Sequence, residues 1–198
     1  MVTVEMDAAN VERRLLAGEI GCPGCRGVLG GWGHARPRVV RGPTGDVRVT
    51  PRRARCRSCR ASHVLLPRVL LCRRADTVDV IGAAVVAHAA GAGHRPIAAA
   101  LGRPGSTVRG WLRRLGGRLD RVREVFTARA IAFAVDPGAG HDRPMRATGS
   151  AWAELVAAVA AAARAVAARL AVGAVTAWQI ACVISGGSLL SPGWPPLA

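Results

Sequence analysis

The feature that most limits what this chain can become is a matched pair of cysteine doublets, Cys22-Pro-Gly-Cys25 and Cys56-Arg-Ser-Cys59. Each CxxC makes a tight knuckle that aims two sulfurs at one point, so two of them predict a closed four-thiolate metal site. The segment between must fold back to bring the knuckles together. Arg36–Arg41 and Val47–Val49 read as strands, with Gly42 to Asp46 as the turn, and Ser62–Leu66 reads as a third strand stopped by Pro67. This is the layout of a zinc ribbon over residues 21–68. Zn²⁺ on Cys22, Cys25, Cys56 and Cys59 is the expected cofactor, with iron the softer alternative. No coordination position stays open, so its expected role is structural. Burial as small apolar residues is the bland alternative, and two doublets of equal spacing argue against it. His34 and His63 could replace a ligand, but beside four cysteines they read as strand or loop residues. Cys72 and Cys182 lack a partner at ligand spacing and read as free, buried thiols.

A second pattern lies in His94–Arg114, HRPIAAALGRPGSTVRGWLRR. Ile97, Ala98 and Leu101 have helical spacing, as do Val108, Trp111, Leu112 and Leu115, and only Gly102-Arg103-Pro104 separates the two sets. So short a break admits a tight turn, and the reading is a helix-turn-helix. Ala98 is small enough for a helix crossing, with Val108 facing it. Gly102 suits the positive φ of the turn, and Pro104 the first turn of the second helix. Upstream, Asp76 is the expected N-cap of a first helix, with Val78, Ile81, Ala84, Val85 and His88 on one face down to Gly91. Residues 75–130 then form a trihelical unit.

Its last helix is the one expected to read DNA. Ser106, Thr107, Arg109, Gly110 and Arg113 fall opposite the core side, where a major groove would meet them. Arg109 and Arg113 lie one above the other and suit guanine edges, while Ser106 and Thr107 at the helix N-terminus suit phosphate. Arg95, Arg103 and Arg114 are the expected flanking phosphate contacts. Gly110 weakens a helix; close approach to DNA would explain it, and so would drift.

The charge supports a polyanionic partner. Residues 22–129 hold 22 Arg against five acids, a net of +17 out of +16 for the whole chain, so the flanking segments nearly cancel. Double-stranded DNA is the first candidate for such a block. Around the second knuckle, Arg52, Arg53, Arg55, Arg57 and Arg60 have two open readings: neutralising the thiolate site, or meeting phosphate.

The remaining segments carry less chemistry. Asp7 to Ala17 reads as an amphipathic helix within residues 1–20, with Val11, Leu15 and Leu16 on one side. Leu112, Leu115, Leu119, Val122 and Phe126 keep a heptad spacing through Gly116-Gly117. Either the reading helix continues and pairs with a partner, giving a homodimer, or a fourth helix packs on the domain; the second is favoured. Residues 131–150 read as a linker, 151–185 as Ala-rich helices and 186–198 as a tail. The first twenty residues lack the apolar segment of a secretory signal, and breaks interrupt the apolar run from Leu170, so no membrane span is expected. A cytoplasmic, nucleoid-associated protein with reduced cysteines is the expectation.

The order LLAGEIGCPGC, RRARCRSCRASHVLLP, GAGHRPIAAALGRPGSTVRGWLRR resembles a family of actinobacterial proteins with an N-terminal transposase-type zinc ribbon and a helix-turn-helix. It is also similar to the DNA-binding front end of insertion-sequence transposases. The likeness covers residues 10–130. It implies sequence-specific DNA binding, as a transcriptional regulator or a transposase-derived accessory protein, without catalysis. Transposases of that type need three acids on a ribonuclease-H-like domain, and the chain beyond Arg114 is too short and lacks the strand pattern. Two other classes stay open. One is an interaction module for RNA polymerase or another protein. The other is a DNA-processing enzyme, for which only Asp136, His141 and Asp142 form a polar cluster outside the ribbon.

Overall fold

The computed structural model describes residues 1–134, 149–170 and 173–196 of an α+β chain with its strands first and its helices after. The expected cluster of Asp136, His141 and Asp142 lies outside the described residues, as does most of the expected linker.

Six strands and one helix make the first half: β1 (Val2–Val4), α1 (Ala8–Leu16), β2 (Leu29–His34), β3 (Arg38–Arg41), β4 (Asp46–Val49), β5 (Arg52–Cys56) and β6 (Ser62–Pro67). β1, β6, β5 and β2 form one sheet in that order, and β3 and β4 form a separate hairpin. β1 runs parallel to β6, while β6 with β5 and β5 with β2 are antiparallel. Leu29, Ala54, Cys56 and Leu65 point to one side and are buried under Val11 and Leu15 of α1. Asp7 caps α1, its carboxylate accepting from the Ala9 and Asn10 amides. Leu16, expected beside Val11 and Leu15, is instead 79% exposed. Four residues carry Val11 round to Leu15, and one more step rotates Leu16 off that face.

The sheet is larger than the sequence suggests. β1 turns residues 1–20 from a lone helix into part of the sheet unit. β2 (LGGWGH) and β5 (RRARC) carry almost no apolar alternation, so neither announces itself. The expected hairpin is present as β3–β4, and its Val40 and Val49 cover Leu66 and Leu70 on the opposite side of β6 from α1.

The second half is α2 (Val78–Ala89), α3 (His94–Leu101), α4 (Gly105–Gly116), α5 (Leu119–Ala132), α6 (Ala151–Leu170) and α7 (Ala177–Ile184). α2 lies at its centre, packed by α3 and α4 and also by α6 and α7. Val78, Val80, Ile81, Gly82, Ala84 and Val85 are therefore all buried, more than one face of a helix. Gly82 is required there, because a Cβ would stand 2.2 Å from the Trp178 ring of α7. Gly102 ends α3 in the left-handed region at φ 61°, and Ile97 and Ala98 pack against Val108, Trp111, Leu112 and Leu115 of α4. α4 stops at Gly116, Arg118 turns the chain, and α5 packs along α6 with Val122 and Phe126 fully buried. The heptad seam is thus used within the chain. Leu189 and Leu190, in the expected tail, are 1% exposed, and Arg118 donates to the Ser191 and Trp194 carbonyls beside them. By length and composition α6 is apolar enough to cross a membrane; here Leu155, Val159, Ala162 and Ala163 face the helical core.

The two halves meet at Asp76, which is 2% exposed. It was expected to cap α2, but Thr77 holds the N-cap position, and no side chain caps there. The Asp76 carboxylate instead accepts from Arg41 of β3 at 2.7 Å and from Arg103, in the α3–α4 turn, at 2.6 Å. Backbone bonds frame the junction: the Arg41 amide donates to Ala75, and the Thr77 amide to the Arg41 carbonyl. A buried carboxylate needs such partners, since an unpaired charge in the interior is far costlier than a paired one. Asp76→Asn is expected to lower unfolding stability by about 3–5 kcal/mol, read from urea midpoints at constant m. An unchanged midpoint would show the junction to be dispensable.

Candidate metal centre and basic helix face

The doublets are brought together by two copies of one local fold. The Cys22 amide donates to the Gly27 carbonyl at 2.7 Å, and the Cys56 amide to the Ala61 carbonyl at 2.9 Å, five residues on in each case. The residue after each second cysteine, Arg26 or Arg60, takes a positive φ, 61° and 65° respectively. That left-handed step closes each knuckle. Antiparallel pairing of Leu29 with Cys56 then sets the knuckles side by side.

The four sulfurs lie within 4.8 Å of one another, Cys22 to Cys59 at 3.7 Å and Cys25 to Cys56 at 3.5 Å. A tetrahedron with metal–sulfur bonds of about 2.3 Å has edges of about 3.8 Å, so the set is positioned to hold a metal ion. Cys22 and Cys56 are buried and Cys25 and Cys59 exposed. His63 stays outside the four and places Nε2 3.4 Å from the Cys22 sulfur. His34 is exposed at the end of β2.

The four thiols sit in unequal surroundings. Amides of Gly24 and Cys25 hold Cys22 below the usual thiol range. For Cys56 burial acts upward, but the Cys59 amide, the Cys25 thiol and the Ser58 amide outweigh it and bring the value to about 6. Cys59 goes the other way: the Ala61 amide lowers it, yet the Cys25 and Cys56 thiols beside it raise it to about 11. Four clustered thiols cannot all ionise without a positive centre, and a cation removes the repulsion that keeps Cys59 protonated. Of the other thiols, Cys182 donates to the Leu70 carbonyl, and burial pushes it up to about 12, so it is inert. Cys72 is half-buried rather than buried as expected, next to Met1 and Ser188.

The basic residues divide into two groups. Arg52 donates to Glu12 at 2.8 and 3.0 Å and to the Gly33 carbonyl, tying β5 to α1 rather than serving the thiolates. Arg103, expected on phosphate, is spent inside the chain: beyond Asp76 it donates to the Leu101, Gly102 and Gly42 carbonyls. Its side chain is 14% exposed because the buried carboxylate draws it in, so it is withdrawn from the contact set. Arg114 is exposed and lies back along α4, donating to the Gly110 carbonyl at 3.0 Å. A Cβ on Gly110 would stand 2.9 Å from the far end of that exposed, flexible side chain.

Arg95, Ser106, Arg109 and Arg113 are exposed, and Thr107 is half-buried. Among the described residues Arg109 and Arg113 make neither an ion pair nor a side-chain hydrogen bond. The N-cap of α4 is Pro104, which leaves the first amides without a side-chain cap. A hollow of about 550 Å³ opens beside Arg109 and Arg113, walled by His88, His94 and Trp152 of α6. His88 and Trp152 meet edge to face at 4.7 Å. Nothing in the sequence placed α6 there, because helix-to-helix docking leaves no local signal.

Two further features escaped the sequence reading. Trp32 of β2 is 52% exposed and the Arg55 guanidinium lies 4.9 Å from its ring centre. Gly27 is the other: a Cβ there would stand 2.4 Å from Ser58 Oγ and 3.2 Å from Cys56 Sγ, so only glycine lets the knuckles close. In comparisons with known proteins, no family model, no curated protein and no solved structure matches this chain. Gly27→Ala is expected to cost about 1–3 kcal/mol of stability by overpacking. Gly24→Ala, whose Cβ would meet only Cys22 Sγ at 3.9 Å, is the tolerated control. Equal urea midpoints for the two variants would refute this account of the knuckle contact.

Proposed function

We propose that this chain is a sequence-specific binder of double-stranded DNA, a transcriptional regulator or a transposase-derived accessory protein, in which α3 and α4 act as a helix-turn-helix. The observation that carries the reading is the face of α4. Its inner side is buried while Arg109 and Arg113, one helical turn apart, stand exposed and uncommitted. Such a pair can each bond a guanine edge through two donors. Uncapped amides at the start of α4, with Ser106 and Thr107, suit a phosphate, and Arg95 and Arg114 suit its neighbours. Gly110, on the same face, suits close approach of the duplex, whereas Arg103 is engaged by Asp76 and backbone carbonyls within the chain.

In the same reading the first half is a zinc ribbon, with Zn²⁺ on Cys22, Cys25, Cys56 and Cys59 in a structural role. The donor set supports zinc: four thiolates complete a tetrahedron and leave no position for substrate. The amphipathic sheet beneath it is small, so metal should supply much of its stability. A likeness to transposase front ends fits this arrangement and supplies no catalytic step.

Selection of bound sequences from a random duplex pool, followed by mobility shift across a salt series, tests the DNA reading. Arg109→Ala and Arg113→Ala are each expected to cost about 1–3 kcal/mol and to relax preference at one base pair. Arg95→Ala should weaken all duplexes alike and reduce the salt slope by about 1. Sequence-independent binding untouched by Arg109→Ala and Arg113→Ala would sink it. For the metal, intact-mass measurement should find one Zn²⁺ per chain, lost in Cys56→Ser and released by chelator or acid as the thiolates protonate. A metal-free chain of unchanged stability would refute the zinc assignment.

A further inference from the structure

Among the described residues, no helix packs on the second side of β2 and β5. On β5, Ala54 and Cys56 point into the core under α1, so Arg53 and Arg55 point away from it. Register places Gly30 of β2 opposite Arg55, and Val64 and Ser62 of β6 opposite Arg53 and Arg55. Trp32, two residues beyond Gly30, lies on this same side with Arg55 against its ring. The Arg57 guanidinium lies over Gly30, 3.5 Å from where a Cβ would be. The hairpin β3–β4 packs over Leu66, and the segment leading into it borders Val64. What remains is a surface with one large exposed ring and three guanidinium groups, bent by a bulge between Gly31 and His34, with no acid in β2, β5 or β6.

We infer that this platform binds an unpaired strand of DNA, with one base stacked on Trp32 and the adjoining phosphates over Arg53, Arg55 and Arg57. The ring decides between strand forms. A duplex offers base edges and a backbone, whereas a stacking surface needs the face of a base already out of its stack. Half of Trp32 is open to receive one, and Arg55 at its side adds a cation without closing it. The guanidinium groups supply the salt-dependent part of the affinity, and the absence of carboxylates removes any repulsion. Gly30 leaves room over β2 for the Arg57 guanidinium, where it can meet a phosphate of the strand. The preference for DNA over RNA rests on the reading of α4 given above; the stacking platform itself does not.

Fluorescence anisotropy of the full zinc-loaded chain with a short labelled oligothymidylate, its abasic counterpart and an oligouridylate tests the inference. Trp32→Leu is expected to weaken oligothymidylate binding about ten-fold and to leave abasic binding unchanged, while Trp32→Phe restores most of the loss. Arg55→Ala and Arg57→Ala should weaken both probes. The Arg109→Ala, Arg113→Ala double variant should bind oligothymidylate within about two-fold of the parent, so failure of the duplex reading is separable from failure of this one. Equal affinity of Trp32→Leu and the parent, or an equal loss on the abasic probe, overturns the stacking site. Tighter binding of oligouridylate than of oligothymidylate overturns the choice of DNA.

Discussion

A buried carboxylate fixes the hairpin of the first half against the α3–α4 turn of the second. Asp76 sits at 2% exposure between a hairpin of the sheet half and the turn of the helical half, and each sends it a guanidinium. Interior charge is tolerated only with good partners. Losing Arg41 or Arg103 leaves one of its oxygens without its guanidinium, so the pair together fixes the hairpin against the α3–α4 turn. The cost is one arginine fewer at the surface.

That exchange shows how a strongly basic segment should be read. The excess in residues 22–129 is one number, but its members differ in duty. Arg52 and Arg103 brace elements that would otherwise drift, and Arg118 gathers carbonyls of the C-terminal segment. Among the described residues, Arg109, Arg113 and Arg53 are exposed and make no such bond. Net charge marks the region, and geometry decides which arms are available. In the duplex reading of α4 and the single-strand reading of the sheet, the available arms lie on two faces suited to different forms of nucleic acid.

Much of this was legible beforehand where a local pattern carries it. The cysteine doublets predict their own convergence, because a CxxC knuckle is a local structure and four thiols have few alternatives. The α3–α4 pair was equally open to reading: apolar spacing, Gly102 and Pro104 all act within a few residues. The rest depended on contacts distant in sequence. β5 is a strand because Ala54 and Cys56 have a partner strand to pair with, not because its residues favour one. Asp76 looked like a cap, since capping is the commonest use of an aspartate before a helix. Only the approach of Arg41 and Arg103 gives it another role. Trp32 between glycines had no apolar neighbours to suggest a face, and its importance rests on a guanidinium across the sheet.

The contact between Gly82 and Trp178 bears on where this protein could be cut. A helix-turn-helix is usually imagined as a portable unit, and the sequence suggests removing everything after residue 130. Yet α2, the first of the three helices proposed for that unit, has its other flank roofed by α6 and α7, with an indole lying on a bare stretch of backbone. Excising the trio would lay a broad oily strip open to water along Val80, Ile81 and Ala84. The alanine-rich end of the chain is thus the back wall of the unit facing the opposite way, and any homologous module without it must seal that wall by other means.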